Sequence, residues 1–238
     1  MMSGTSASTT EKPPDRRKLT VVLYADMVGY SRLIELDDAG TLHRLWGLRR
    51  TIIDPAIAEH GGRMVQTGGD SLLVAFDSID GAVNCAVTIQ HHVPVYDADQ
   101  QPDRTMRFRI GITIGDAIAD GTDLHGDVVN VAARLQAECP PEDICVSRAV
   151  RDHVGNRLGL AFEDLGALNL KNISRPVEAF VVRLRSQRGD AGRTGPFPEG
   201  ANLADARRVR TVGPHGSARA RARVRQRLWT AAVPDRAE

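Results

Sequence analysis

The sequence has no apolar run near the ~18 residues that a membrane-spanning helix needs, and residues 1–18, rich in Ser, Thr and Pro, lack the apolar centre of a secretory leader. A soluble chain is expected. Cysteine is scarce: Cys85, Cys139 and Cys145 make neither an even disulfide set nor a metal-ligand spacing. That excludes a disulfide scaffold and a zinc module, and points to reduced, buried thiols in a cytoplasmic protein. No internal repeat is present, so a solenoid is excluded. The chain also lacks the glycine pattern of a hydrolase nucleophile elbow, and His91-His92, at a helix end, lack metal-ligand spacing and read as surface residues.

An excess of one charge sign is missing too, but the net +1 hides an asymmetry. Residues 186–238 hold eleven Arg, no Lys and five acidic residues, net +6, which leaves residues 1–185 at −5. A mildly acidic body does not suit specific nucleic-acid binding. The tail, rich in Arg, Gly and Pro, keeps neither apolar period and is expected to be disordered. Its Arg219, Arg221, Arg223, Arg225 and Arg227 alternate at period two, which makes no amphipathic helix. At 238 residues, the chain suits one sizeable core with tails: a flexible segment over 1–18, a folded domain over 19–185 and the tail over 186–238.

Within the body, residues 19–25 are apolar and β-branched and predict a buried strand ending at Asp26. Residues 38–60 carry helical spacing through Leu42, Leu45, Leu48, Ile52 and Ile53, with Pro55 expected to kink or interrupt the helix. Strands over 63–66 and 71–76 flank Thr67-Gly68-Gly69-Asp70 as a hairpin, and 79–93 predicts a second helix. Residues 107–114 and 116–119 read as a strand pair bent at Gly115. A helix follows, ended by Pro140-Pro141, and 144–146, 161–162 and 177–184 complete the strand candidates. The order β-α-β-β-α-β predicts an α+β, ferredoxin-like plan: a mainly antiparallel sheet with helices on one face.

The chemistry concentrates in three segments. In the run 123–134, Asn130 and Arg134 are four residues apart, share one helix face and can reach one ligand, while Asp123 precedes the helix. Asp26 ends the first strand, in Tyr24-Ala-Asp-Met-Val-Gly-Tyr-Ser31, and Asp70 occupies the glycine turn. Taken singly, these aspartates are also ordinary caps or turn residues, and Arg134 is also an ordinary helix-surface ion pair. The turn Met27, Val28, Gly29, Tyr30, Ser31 follows a strand, so its backbone N–H groups could cradle phosphates; a plain tight turn fits it equally.

Taken together and in order, these motifs resemble the class III nucleotidyl cyclase catalytic domain, the adenylate and guanylate cyclase family, over roughly residues 19–185. The resemblance implies conversion of ATP to 3′,5′-cyclic AMP and pyrophosphate with two Mg²⁺ or Mn²⁺ ions per site, held by Asp26, Asp70 and the Met27 backbone carbonyl. It implies that Arg134 stabilises the transition state, that Asn130 orients the ribose, and that Lys171 and the 28–31 turn hold the triphosphate. Asp123 and Gln66 would read the base. Adenylate cyclases of the family carry Lys where Gln66 stands, so the purine choice is expected to be looser, and regulatory domains of low activity are the alternative. The segment 115–122 before Asp123 is shorter than the arm of many members. Because metal and base residues come from different protomers in this family, the presence of both sets implies a homodimer. Gly68-Gly69-Asp70 also looks like the diguanylate cyclase signature, which Ser71-Leu72 breaks.

Overall fold

The computed structural model describes residues 17–120, 123–155 and 157–183. The expectations for 1–16 and for the tail beyond Arg183, including Leu184, lie outside the described residues.

The first strand, β1 (Arg17–Met27), lies inside the sheet between two neighbours, and its alternate side chains on each face join a core. Val21, Leu23, Ala25 and Met27 join one core, and Val22 and Tyr24 join another on the opposite face. Helices α1 (Tyr30–Leu36) and α2 (Asp38–Leu48) follow, the latter capped by the Asp37 carboxylate accepting from the Gly40 N–H. Pro55 does not break the predicted helix. A π turn at Arg49–Ile53 widens the coil just before α3 (Asp54–Glu59), whose first turn needs no N–H from a proline.

The hairpin β2 (Gly62–Gly68) and β3 (Ser71–Phe76) forms as predicted, followed by α4 (Ile79–Tyr96). Gly115 is not a bend: β4 (Phe108–Asp120) is one strand, hairpinned instead to β5 (Asp123–His125). Helix α5 (Asp127–Glu138), β6 (Ile144–Ser147), α6 (Arg148–Val154), β7 (Ala161–Leu168) and β8 (Val177–Arg183) complete the order. The elements β5 and α6 are too short for periodicity to reveal.

The sheet runs β2-β3-β1-β4-β6-β8-β7, with β5 attached to β4. Only β4–β6 is parallel; the other pairs are antiparallel. The β4-β1-β3-β2 half is the ferredoxin-like arrangement. The helices are not confined to one face. Leu45 and Leu48 of α2, Ile57 of α3, Ala82 and Ile89 of α4 and Val150 of α6 share a core with one face, whereas Val128, Ala132 and Leu135 of α5 cover the other. What admits α5 is glycine on β4: a Cβ at Gly111 would stand 2.3 Å from the Ala132 carbonyl oxygen, and one at Gly115 would stand 3.2 Å from Cβ of Val128. The two glycines therefore serve a close approach of helix to strand.

All three cysteines are free and buried. Burial pushes the Cys85 thiol up to about 12, and Cys139 is raised by its hydrogen bond to Cys145 and by burial. Such thiols are poor nucleophiles.

Candidate active site

Asp26 stands one residue before the end of β1, paired across the sheet with Ser71 on one side and Arg109 on the other. Asp70 lies in the tight turn before Ser71, which Gly69 enters at φ 66°, and the Met27 N–H donates to the Asp70 carbonyl at 3.1 Å. That bond ties the turn to the strand and brings the two carboxylates together. Asp26 is half-buried, and its carboxyl is pushed up to about 6, first by burial and then by the charge of Asp70, against the opposing pull of Arg109. Two oxygen donors that repel each other in a partly dry site suit a hard divalent cation. Among the described residues no group of three or more His, Cys, Asp or Glu is assembled. Further ligands therefore have to come from backbone or substrate oxygens, the pattern Mg²⁺ tolerates.

The turn after β1 is more committed than its sequence suggested. The Val28 N–H already donates to the Arg107 carbonyl at 2.8 Å, so Val28 has no backbone donor left for a phosphate. Gly29 takes φ 69° at the head of α1 without a side-chain cap, and Tyr30 and Ser31 occupy the first turn, whose N–H groups have no carbonyl one turn back. The Tyr30 hydroxyl reaches over the Asp70 turn, 3.9 Å from where a Gly69 Cβ would lie.

Two residues at this end were missed by the sequence reading. Arg107 and Arg109 are half-buried, and the Nε of each is buried without a hydrogen-bond partner. The available signal was two charges at alternate positions leading into an apolar strand.

The second set is carried by β2, β5 and α5, on the sheet face that Asp26 shares with Val22 and Tyr24. The strand β2 carries an extra residue between Met64 and Gln66, so that Met64 pairs with Val74 while Gln66 pairs with Leu73. Val74 belongs to the face covered by α2, α3, α4 and α6, and Leu73 to the α5 face. The bulge thus turns Gln66 from the first face to the second. There β5, carrying exposed Asp123, comes against β2. Asn130 is exposed and Arg134 half-exposed on α5, and Arg134 makes no ion pair among the described residues. Lys171 is exposed beside buried Leu170 in the turn between β7 and β8, where Asn172 takes φ 64° and the Ile173 N–H donates to the Leu170 carbonyl. Of the two histidines, His91 is exposed, while His92 is half-buried, with Nδ1 2.8 Å from the Thr88 carbonyl.

A sheet of this topology, with paired carboxylates at the end of β1 and an Asn/Arg helix packed on the face that Asp26 shares with Val22 and Tyr24, defines a nucleotidyl cyclase domain. The sequence matches the adenylate and guanylate cyclase catalytic domain over residues 14–183, and the chain belongs to that family. It is 38% identical over 162 residues to "Putative adenylate cyclase 3" of Rhizobium meliloti (strain 1021), covering 68% of this chain and 28% of that protein. It is 30% identical to "Adenylate cyclase" of Streptomyces coelicolor, covering 62% of this chain and 37% of that protein. The chain thus spans well under half the length of these curated relatives. The solved adenylate/guanylate cyclase/hydrolase from Silicibacter pomeroyi is 42% identical with a TM-score of 0.65, covering 72% of this chain and 99% of that one. The adenylyl cyclase CyaB from P. aeruginosa, 22% identical with a TM-score of 0.61 over 73% and 97% of the two chains, shares the fold. No helix among the described residues is long and apolar enough to cross a membrane.

Proposed function

We propose that the domain is an adenylate cyclase, closing ATP to 3′,5′-cyclic AMP for signalling within the cytoplasm. The observation that carries this reading is the Asp26–Asp70 pair with an opposed arginine, together with exposed Gln66, Asp123 and Asn130 and half-exposed Arg134.

Asp26 and Asp70, with the Met27 carbonyl, would hold two Mg²⁺ or Mn²⁺ ions, which when bound acidify the ribose 3′ hydroxyl and neutralise the phosphates. Arg109 lies beside this pair and holds the triphosphate, with Tyr30, Ser31 and Gly29 contributing backbone donors. The O3′–Pα bond forms as the bridge from Pα to the β-phosphate oxygen breaks. The hydroxyl proton passes to solvent, and the electron pair leaves with pyrophosphate.

The other protomer supplies the remaining groups. Arg134 aims its guanidinium at the charge developing on the reacting phosphate, Asn130 orients the ribose and Lys171 binds the phosphate tail. Asp123, which only accepts when ionised, pairs with the adenine amino group and opposes guanine O6. Gln66 donates to adenine N1, but its amide can reverse and accept from guanine N1–H, so ATP is preferred by a modest margin. Each homodimer holds two such sites. Incubation of the purified chain with Mg²⁺ or Mn²⁺ and ATP or GTP, with identification of the cyclic product, tests the reading. Absence of any cyclic nucleotide under all four conditions overturns it, and a GTP preference overturns the assignment to adenine.

A further inference from the structure

The start of β4 and the residue before it bring two arginines to the site, Arg109 and Arg107, and only Arg109 faces a carboxylate. In the register that pairs Asp26 with Arg109 and Met27 with Phe108, the next pair is Val28 with Arg107, closed by the Val28 N–H donating to the Arg107 carbonyl at 2.8 Å. Directly opposed residues of an antiparallel pair project to the same side. Arg107 and Arg109 therefore share the face of Asp26, about 7 Å apart along the strand. Both Nε atoms are buried without a partner, and neither arginine forms an ion pair among the described residues. A buried guanidinium nitrogen left unpaired is costly, and that cost falls away when a ligand brings the acceptor.

The missing acceptor has to be an anion long enough to reach both arginines. Asp26 and Asp70 hold the reacting end on the cyclase reading, on which this inference rests. Arg109, across from Asp26, meets the phosphates nearest the reaction, and Arg107, one step further away, meets the far end. We propose that Arg107 is a binding residue for the leaving pyrophosphate, holding the terminal phosphates of the nucleotide before the reaction and the free product after it. The assignment follows the charge: as the Pα–O bridge breaks, the departing group carries one more negative charge than it had in the triphosphate. A cation at its far end therefore gains interaction as the bond breaks.

The test uses the full chain, with Arg107→Met removing the charge at similar length and Arg107→Lys restoring a point charge. Affinity for magnesium pyrophosphate is read as an inhibition constant in the cyclase assay and as a thermal shift without nucleotide. The methionine variant is expected to bind pyrophosphate about tenfold more weakly or worse, as loss of a hydrogen bond to a charged group implies. KM for ATP should rise in parallel, and the lysine variant should recover part of the loss. Inhibition by the cyclic monophosphate, which has no terminal phosphates, should not change. Pyrophosphate affinity within twofold of wild type, or an equal loss for the cyclic product, overturns the assignment. A wild-type chain that forms no cyclic nucleotide defeats the cyclase reading instead, and the pyrophosphate thermal shift then decides Arg107 by itself.

Discussion

Asp26 is a residue whose environment works against its charge. Its folded carboxyl titrates near 6 and its ordinary value is 3.8, so the folded state binds the proton more tightly. Stability therefore falls as pH rises from about 4 to about 6, and the penalty is fully present above that window. Asp26→Asn is expected to raise the melting temperature of the metal-free protein near neutral pH, with the gap closing toward pH 4, while abolishing metal-dependent cyclisation. Melts in chelator across that range check it, and equal melting temperatures near neutral pH would contradict the strain assigned to the pair. Mg²⁺ should raise the melting temperature of the wild type and not of this variant. Gln66 is ambiguous for a different reason: its amide is reversible. Gln66→Lys can only donate and should widen the ATP over GTP ratio of kcat/KM by about tenfold, the scale of one mispaired polar contact. An unchanged ratio removes Gln66 from base reading.

At the scale of elements, the placement of α5 decides where Asn130 and Arg134 sit, and Gly111 sets that placement. A Cβ there meets the backbone of α5 itself, 2.3 Å from the Ala132 carbonyl oxygen and 2.4 Å from the Gln136 nitrogen, so no side chain can swing aside. Gly111→Ala should destabilise the domain by about 1–3 kcal/mol, as overpacking does, and lower kcat at least tenfold by displacing Arg134. The Mg²⁺ thermal shift should survive: although Gly111 pairs with Tyr24, two residues from Asp26, the carboxylates are held by β1 and by the glycine turn tied to it through the Met27 N–H, not by α5. A variant with normal kcat would show that α5 tolerates the shift. The bulge before Gln66 works by the same logic, one inserted residue exchanging the two faces of β2.

At the scale of the whole molecule, the cyclase reading assigns the two functional sets of one protomer to different sites, so each composite site needs a second copy. Asp26→Ala and Arg134→Ala, each inactive alone, should regain activity on mixing. About a quarter of the wild-type rate is expected, because half of randomly mixed dimers are mixed and each keeps one intact site of two. Equal expression and a subunit-exchange control make the measurement decisive. No recovery from demonstrated mixed dimers would mean that each site is built within one chain.

The sequence by itself determined the family, the placing of Asp26 at a strand end and of Asp70 in a glycine turn, and the Asn130–Arg134 face, because these depend on local spacing. An aspartate closing an apolar run, a glycine turn and a four-residue helical step are visible without knowing what packs where. Tertiary structure decided everything that depends on which face a residue presents. Gly115 looked like a bend and serves helix packing. Pro55 pointed to a kink or interruption, and the structure makes it a π turn between α2 and α3. The Val28 N–H looked available and is taken by Arg107. The bulge before Gln66 and the second helical face left no readable signature, because a strand's alternation is silent about an inserted residue; Arg107 and Arg109 left only two alternate charges, which become informative once their partners, or their absence, are known.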